Sequence, residues 1–225
     1  MIIQRKKFAI ITAMKEEADH IISTYNLGKI KELKHMKIYE NNDIVLFLAG
    51  IWKIQASIAT TYLCLHYDFE TLINIGIAWS LLWEDAIIGN VFIVNKIIQH
   101  DMHLPFDGEH LNYAKKPIYI NNSIYIDEID TMNFWITYDA CCLTWDQFIS
   151  DENILNNLRN LHIADVVEME AFAIASVARK FDFLDRCIFI KAISDGANSD
   201  AKNAHMDNLD FAMNNSIIVL KSIIW

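Results

Sequence analysis

The sequence predicts an α/β fold with a mostly parallel or mixed sheet, and three observations predict it. The chain has 225 residues, 53% of them hydrophobic, enough to bury one compact core. Apolar runs too short for helices alternate with longer helical patterns from end to end. Several of these runs stop at small or acidic residues, at Glu16 and Glu17, Gly76 to Ser80, Glu168 to Glu170, and Ser194 to Asp195. Sheets of this class hold ligands beyond the carboxyl ends of their strands.

Taken in order, Lys7 to Thr12 reads as a first strand, and Met14 to Tyr25, acidic at its start, as a helix whose dipole favours that charge. Met36 to Tyr39 and Ile44 to Leu48 flank the turn residues Asn41-Asn42-Asp43 and predict a hairpin. A helix over Lys53 to Tyr67 leads to the apolar run Leu72 to Ile77, and Val91 to Ile98 is again strand-like. The stretch His100 to Lys116, with Pro105 and Gly108, predicts a long loop of the kind that borders sites. Ile118 to Ile126 and Asn133 to Thr144 predict later strands, and Asp151 to Leu161 a polar helix. Glu170 to Phe181 predicts an Ala-rich helix, Ile188 to Ile193 a buried strand, and Asn203 to Ile224 a C-terminal helix. Neither a repeat nor a linker interrupts the pattern, so one domain over 1–225 is expected.

Composition narrows the function classes. Nineteen basic against twenty-nine acidic residues leave a formal charge of −10, which repels phosphate backbones and anionic lipid, so nucleic acid is not the expected partner. No apolar stretch approaches the roughly 20 residues that span a bilayer, and no membrane partner is expected. The cysteines, Cys64, Cys141, Cys142 and Cys187, have neither zinc-ligand nor disulfide-framework spacing, which fits a reducing cytoplasm. His100-Asp101-Met102-His103 offers two imidazoles but no third ligand at sensible spacing, so no metal is expected. No glycine-rich turn with a basic partner opens a helix, and the first strand is followed by two glutamates, which repel phosphate.

Carboxylates carry the chemistry that remains. Asp195, ending a strongly apolar strand, is either a turn and cap residue or an acid whose pKa burial raises enough to hold a proton near neutrality. Glu168 and Glu170 serve either the dipole of the following helix or, as bidentate acceptors, a vicinal diol such as a ribose. Glu17 has the same two readings, helix dipole or general base.

Together and in order these segments resemble the methylthioadenosine/S-adenosylhomocysteine nucleosidase branch of the purine nucleoside phosphorylase superfamily. Ala13-Met14-Lys15-Glu16-Glu17 looks like the family's Ala-Met-x-Glu-Glu, and Ala49-Gly50-Ile51-Trp52-Lys53 like Ser-Gly-Ile-Gly-Lys. Ile73-Asn74-Ile75-Gly76-Ile77-Ala78-Trp79-Ser80-Leu81 is similar to Ile-Asn-Thr-Gly-Ser-Ala-Gly-Gly-Leu, and Trp145-Asp146-Gln147-Phe148-Ile149 to Gly-Asp-x-Phe-Ile. The most specific pieces are Val167-Glu168-Met169-Glu170 and Lys191-Ala192-Ile193-Ser194-Asp195, close to Val-Glu-Met-Glu and Arg-Ala-Ile-Ser-Asp.

The resemblance implies a three-layer phosphorylase/hydrolase-like fold, a central mixed sheet flanked by helices, in a cofactor-free cytoplasmic homodimer. It implies release of adenine from 5′-methylthioadenosine or S-adenosylhomocysteine, with Asp195 as the acid at N7 and Glu17 activating water. Glu170, with Glu168 before it, would hold the ribose hydroxyls, and Met169 would pack on the sugar. Phe148 and Ile149 would sandwich and read the base, Ser194 would support Asp195, and Ile77 would border the ligand. The alternatives are a phosphate-dependent phosphorylase, a futalosine hydrolase, or an impaired homologue that binds nucleoside without turnover.

Trp52, Trp79 and Trp145 stand where the family pattern has glycine, Ile77 where it has serine, and Lys191 where it has arginine. The chain holds six tryptophans and only six glycines, against an average glycine usage of about 7%. One reading that joins these facts is that UGA codons meaning glycine were translated as tryptophan, which would extend to Trp83, Trp135 and Trp225; the alternatives are a genuinely diverged or inactive member of the family, and coincidence. Peptide mass spectrometry of protein from its native host is expected to find glycine at position 79; tryptophan there rules the reading out.

Overall fold

The computed structural model describes residues 4–82, 88–102, 116–121, 134–147, 151–161, 164–195 and 201–224. β1 (Gln4–Thr12) leads into α1 (Lys15–Tyr25), whose C-cap Asn26 takes the left-handed conformation that asparagine tolerates. β2 (Gly28–Leu33), β3 (Met36–Glu40) and β4 (Ile44–Leu48) follow as an antiparallel meander. β2 escapes a sequence reading because almost all its residues are exposed and charge interrupts its alternation, as on many edge strands. α2 (Lys53–His66) then packs one face inward through Ala56, Ala59, Thr60 and Leu63.

β5 (Tyr67–Ser80) is much longer than its apolar run Leu72 to Ile77, because partners are available along its whole length. β6 (Val91–Gln99), the two-residue β7 (Ile118–Tyr119) and β8 (Ile136–Thr144) come next. β7 stops far short of the strand expected over Ile118 to Ile126, whose last residues, like most of the loop expected over His100 to Lys116, lie outside the described residues. α3 (Glu152–Leu161), β9 (Val166–Glu168), α4 (Ala171–Lys180), β10 (Cys187–Asp195) and α5 (Ala201–Ile224) complete the order. β9 is a three-residue strand that no periodicity could signal.

Among the described residues the sheet is mixed and ten-stranded. β1 lies at its centre, parallel to β4 and β5, and β10 is parallel to β5. β5, β10, β6, β8 and β9 pair in turn around a closed circuit, the last contact joining β9 back to β5 antiparallel. One part of the sheet is thus rolled toward a barrel, which removes edges that an open sheet would leave.

Alternation along the strands divides the core. Cys187, Phe189 and Ile193 of β10 join the cluster under α2 and α4, while Ile188, Ile190 and Ala192 join the cluster with α1 and α5. Strands buried on both sides read as continuous apolar runs, which is why β10 was legible in sequence. Among the described residues no helix is long and apolar enough to cross a membrane.

The circuit closes at Trp79, whose register partners are Val167 on β9 and Asp195 on β10, the latter across a bulge. Strand ends carrying acidic residues therefore meet around one position of β5.

Trp52, the residue before α2, has φ 87° and ψ 155°, a region that is essentially glycine's own because a Cβ there meets its own backbone. Its side chain is 57% exposed, so little burial compensates the strain. Replacing Trp52 by glycine relieves about 1–3 kcal/mol of strain and adds about 0.5–1 kcal/mol of unfolded-chain entropy. Trp52→Gly is therefore expected to raise stability by about 1 kcal/mol, read as a higher urea midpoint at unchanged m; a lower midpoint would show that the indole contributes more than the backbone loses.

Candidate active site

Glu17 enters the site because the first turn of α1 folds back on the end of β1. One carboxylate oxygen, Oε2, accepts hydrogen bonds from the backbone amides of Ala13 (3.0 Å) and Met14 (2.9 Å). The other, Oε1, accepts from the amide of Ile77 on β5 (3.0 Å). The side chain that caps the helix thus also lines the cavity, since the amides it accepts from fix the direction of its carboxylate. The approach to β5 is so close that a Cβ on Gly76 would lie 2.6 Å from Glu17 Oε1, which explains glycine there. Burial pushes the Glu17 carboxyl above its ordinary value, against the amides of Met14 and Ile77, the charge of Lys191 and the amide of Ala13.

Glu168 is committed to the protein. Its Oε1 accepts from the Thr144 hydroxyl (2.6 Å), and its Oε2 from the amides of Glu170 (3.0 Å) and Ala171 (2.8 Å) and from Lys191 Nζ (2.9 Å). Thr144 Oγ1 in turn accepts from the amide of Phe172. Glu168 borders the cavity described below, but with both oxygens occupied its work is to hold Lys191 and the start of α4. Burial alone would lower the Lys191 ammonium, yet the charges of Glu168 and Glu170 outweigh it and hold it above its ordinary value. A lone lysine inside Cys187-Ile188-Phe189-Ile190 and Ala192-Ile193 was the sequence signal for this pair, because a buried ammonium requires a partner.

Glu170 turns the other way. Its Oε1 accepts from the amide of Trp52 (2.9 Å), so the strained residue before α2 touches the site through its backbone. Burial raises the Glu170 carboxyl to about 8, reinforced by Glu168 and Glu17 and opposed by Lys191 and the Trp52 amide. Near neutrality it is largely the acid, able to donate to one hydroxyl of a diol and accept from the next.

These groups meet at a cavity of about 120 Å³ lined by Glu17, Ile77, Trp79, Glu168, Met169 and Glu170, with Ala13, Met14 and Ile51 at its border. Ser194 is fully buried one residue before the end of β10. Asp195 ends that strand opposite Trp79; its side chain, like Phe148 and Ile149, lies outside the described residues. The residues expected to meet the ligand therefore fall in two sets, and Glu17, Ile77, Glu168, Met169 and Glu170 are the set brought together.

Thr144, Lys191 and the brace beside the cavity were not singled out as a unit from sequence. In that brace Lys53 Nζ bonds both oxygens of Asp101 (2.6 and 2.7 Å), and Asp101 and Asp146 accept backbone amides of Asp146 and Lys53. Asp101, one residue of the four-residue motif that invited a metal reading, is held below its ordinary value: burial works against this, and the Lys53 hydrogen bond and the Asp146 amide overcome it.

Comparison with known proteins gives the family and the fold. The family profile described as the phosphorylase superfamily matches residues 7–224, and the chain belongs to that family. The chain is 24% identical over 230 residues to an aminodeoxyfutalosine nucleosidase of Helicobacter pylori, covering 97% of this chain and 98% of that one. It is 29% identical over 215 residues to a 5′-methylthioadenosine/S-adenosylhomocysteine nucleosidase of Buchnera aphidicola, covering 91% of each. The fold is that of the 5′-methylthioadenosine/S-adenosylhomocysteine nucleosidase of Colwellia psychrerythraea, crystallised with adenine (TM-score 0.84, 20% identity, 99% of this chain and 96% of that one).

The Glu170 environment has a consequence for stability. Its carboxyl titrates near 4.5 when unfolded and near 8 when folded, so between these values the native state keeps a proton that the unfolded chain has lost. Stability therefore falls as pH rises through that window, and Glu17, shifted in the same direction, adds the same sign. Urea unfolding between about pH 5 and pH 8 is expected to show a shallower decline in Glu170→Gln than in the parent; equal slopes would return Glu170 to ordinary behaviour.

Proposed function

We propose that the protein hydrolyses the N-glycosidic bond of an adenine nucleoside, 5′-methylthioadenosine or S-adenosylhomocysteine, and releases adenine. The observation that carries this reading is the pair of buried carboxyls, Glu17 and Glu170, bordering one cavity at the strand ends, with the nearby Lys191 already bound to Glu168. In this proposal the bond between N9 and C1′ breaks, its electrons pass to the purine, and Asp195 supplies the proton that N7 takes up. Glu17 accepts the proton of a water that attacks C1′, and its charge favours the oxocarbenium-like transition state. Glu170 holds the ribose hydroxyls, Met169 packs on the sugar, Phe148 and Ile149 receive the base, and Ser194 supports Asp195. The Glu17 carboxylate beside the nucleophile's position favours water over phosphate, which supports hydrolysis over phosphorolysis.

A second substrate is favoured by a specific observation: the 24% identical relative from Helicobacter pylori is named for aminodeoxyfutalosine. Both substrates share the bond to be broken and differ in the 5′ group. We further propose that the protein acts without a cofactor, in the cytoplasm, as a homodimer. A second copy would cover the exposed apolar residues Ile51, Ile54, Ile58 and Leu65 at and along α2.

Chromatography of adenine released from each nucleoside, with and without phosphate, tests the reaction. Release independent of phosphate is expected, and release only with phosphate would make the protein a phosphorylase. Glu17→Gln is expected to lower kcat by about 10²–10⁴, and Asp195→Asn to abolish turnover while sparing nucleoside binding; a normal rate in either variant removes that residue from the mechanism.

A further inference from the structure

We propose that residue 79 sets how readily this site admits its ligand, and that its indole narrows the site and weakens nucleoside binding without abolishing it; the inference rests on the reading of the cavity as a nucleoside site. At about 120 Å³ the cavity is far smaller than the roughly 300–1,000 Å³ usual for ligand pockets. It is close to the ~150 Å³ of an engineered apolar cavity that accepts a single benzene ring. A base joined to a sugar with a 5′ substituent needs more room than that.

The walls differ in what they can yield. Glu17 is held by three backbone amides, Glu168 by four donors, and Glu170 by the amide of Trp52. Moving any of them breaks buried hydrogen bonds, which is costly where water cannot replace the partner. Among the described residues the rest of the lining is apolar, and its largest side chain is that of Trp79.

Trp79 is placed to matter most. Its backbone lies between Val167, one residue before Glu168, and Asp195. The side chain lines the cavity together with Glu17, Glu168 and Glu170. It is only 5% exposed and belongs to a cluster with Leu143, Leu155, Leu158, Val167 and Met169. An indole packed in this way does not swing aside without disturbing that cluster.

Positive φ does not account for residue 79 as it does for Trp52, since Trp79 is absent from the positive-φ residues among those described. Two tryptophans near the site thus have different effects: position 52 strains the backbone that holds Glu170, and position 79 fills volume.

The test compares the parent, Trp79→Phe and Trp79→Gly by calorimetric binding of 5′-methylthioadenosine and by adenine release. Nucleoside affinity is expected to rise at least tenfold in Trp79→Gly and by an intermediate amount in Trp79→Phe, which keeps a ring in the cluster if the glycine variant does not fold. Free indole is expected to compete with nucleoside in Trp79→Gly, by refilling the vacated space, and not in the parent. Equal nucleoside affinity in all three chains would overturn the proposal, as would parent turnover matching Trp79→Gly. Tighter binding in Trp79→Gly without adenine release would leave the size limit standing and overturn the hydrolase reading instead. Absence of nucleoside binding in every folded variant would overturn both.

Discussion

The ion pair between Glu168 and Lys191 is the constraint on which the site depends. Both groups are almost fully buried, and transferring two charges out of water costs several kcal/mol each unless the remaining lone pairs and protons are satisfied. Here they are: Thr144 from β8, the amides at the start of α4, and the ammonium from β10 all converge on one carboxylate. Three strands, β8, β9 and β10, and the start of α4 are thereby held in one arrangement. Loss of either partner would leave an uncompensated charge in the core, at a cost of about 3–5 kcal/mol.

This pair also sets the electrostatics of its neighbours. With Lys191 engaged by Glu168, a limited positive field remains for Glu17 and Glu170, and burial raises both above ordinary carboxyl values. Where Glu17 is ionised, an anionic nucleophile is disfavoured beside it and a developing cation is favoured. The same bond that stabilises the closed part of the sheet therefore selects the kind of chemistry the cavity can support. Amides donated by Ala13, Met14, Ile77 and Trp52 then orient the two carboxyls without further charge.

The tryptophans set stability and access against that arrangement. Trp52 imposes a glycine conformation on a side chain that strains it, at a position whose amide holds Glu170. Trp79 fits its backbone but occupies the meeting point of the strand ends. Trp145, stacked edge-on against His100, keeps its amide bonded to the carbonyl of Glu168. The fold accommodates all three, and each lies near the acidic residues that resemble the family's.

Sequence alone determined the alternation of strands and helices, the acidic character of the strand ends and the family resemblance, because periodicity and motif order are local properties of the chain. It located Glu17, Glu168 and Glu170 but left each suspended between helix dipole and chemistry. Only the tertiary structure separated them, giving Glu168 four protein donors and leaving Glu17 and Glu170 at the cavity. The edge strand β2 and the three-residue β9 were illegible because the first lacks apolar alternation and the second is shorter than any period. Closure of β9 onto β5, the burial of Lys191 and the volume left beside Trp79 all depend on residues far apart in sequence, and no local pattern encodes the distances between them.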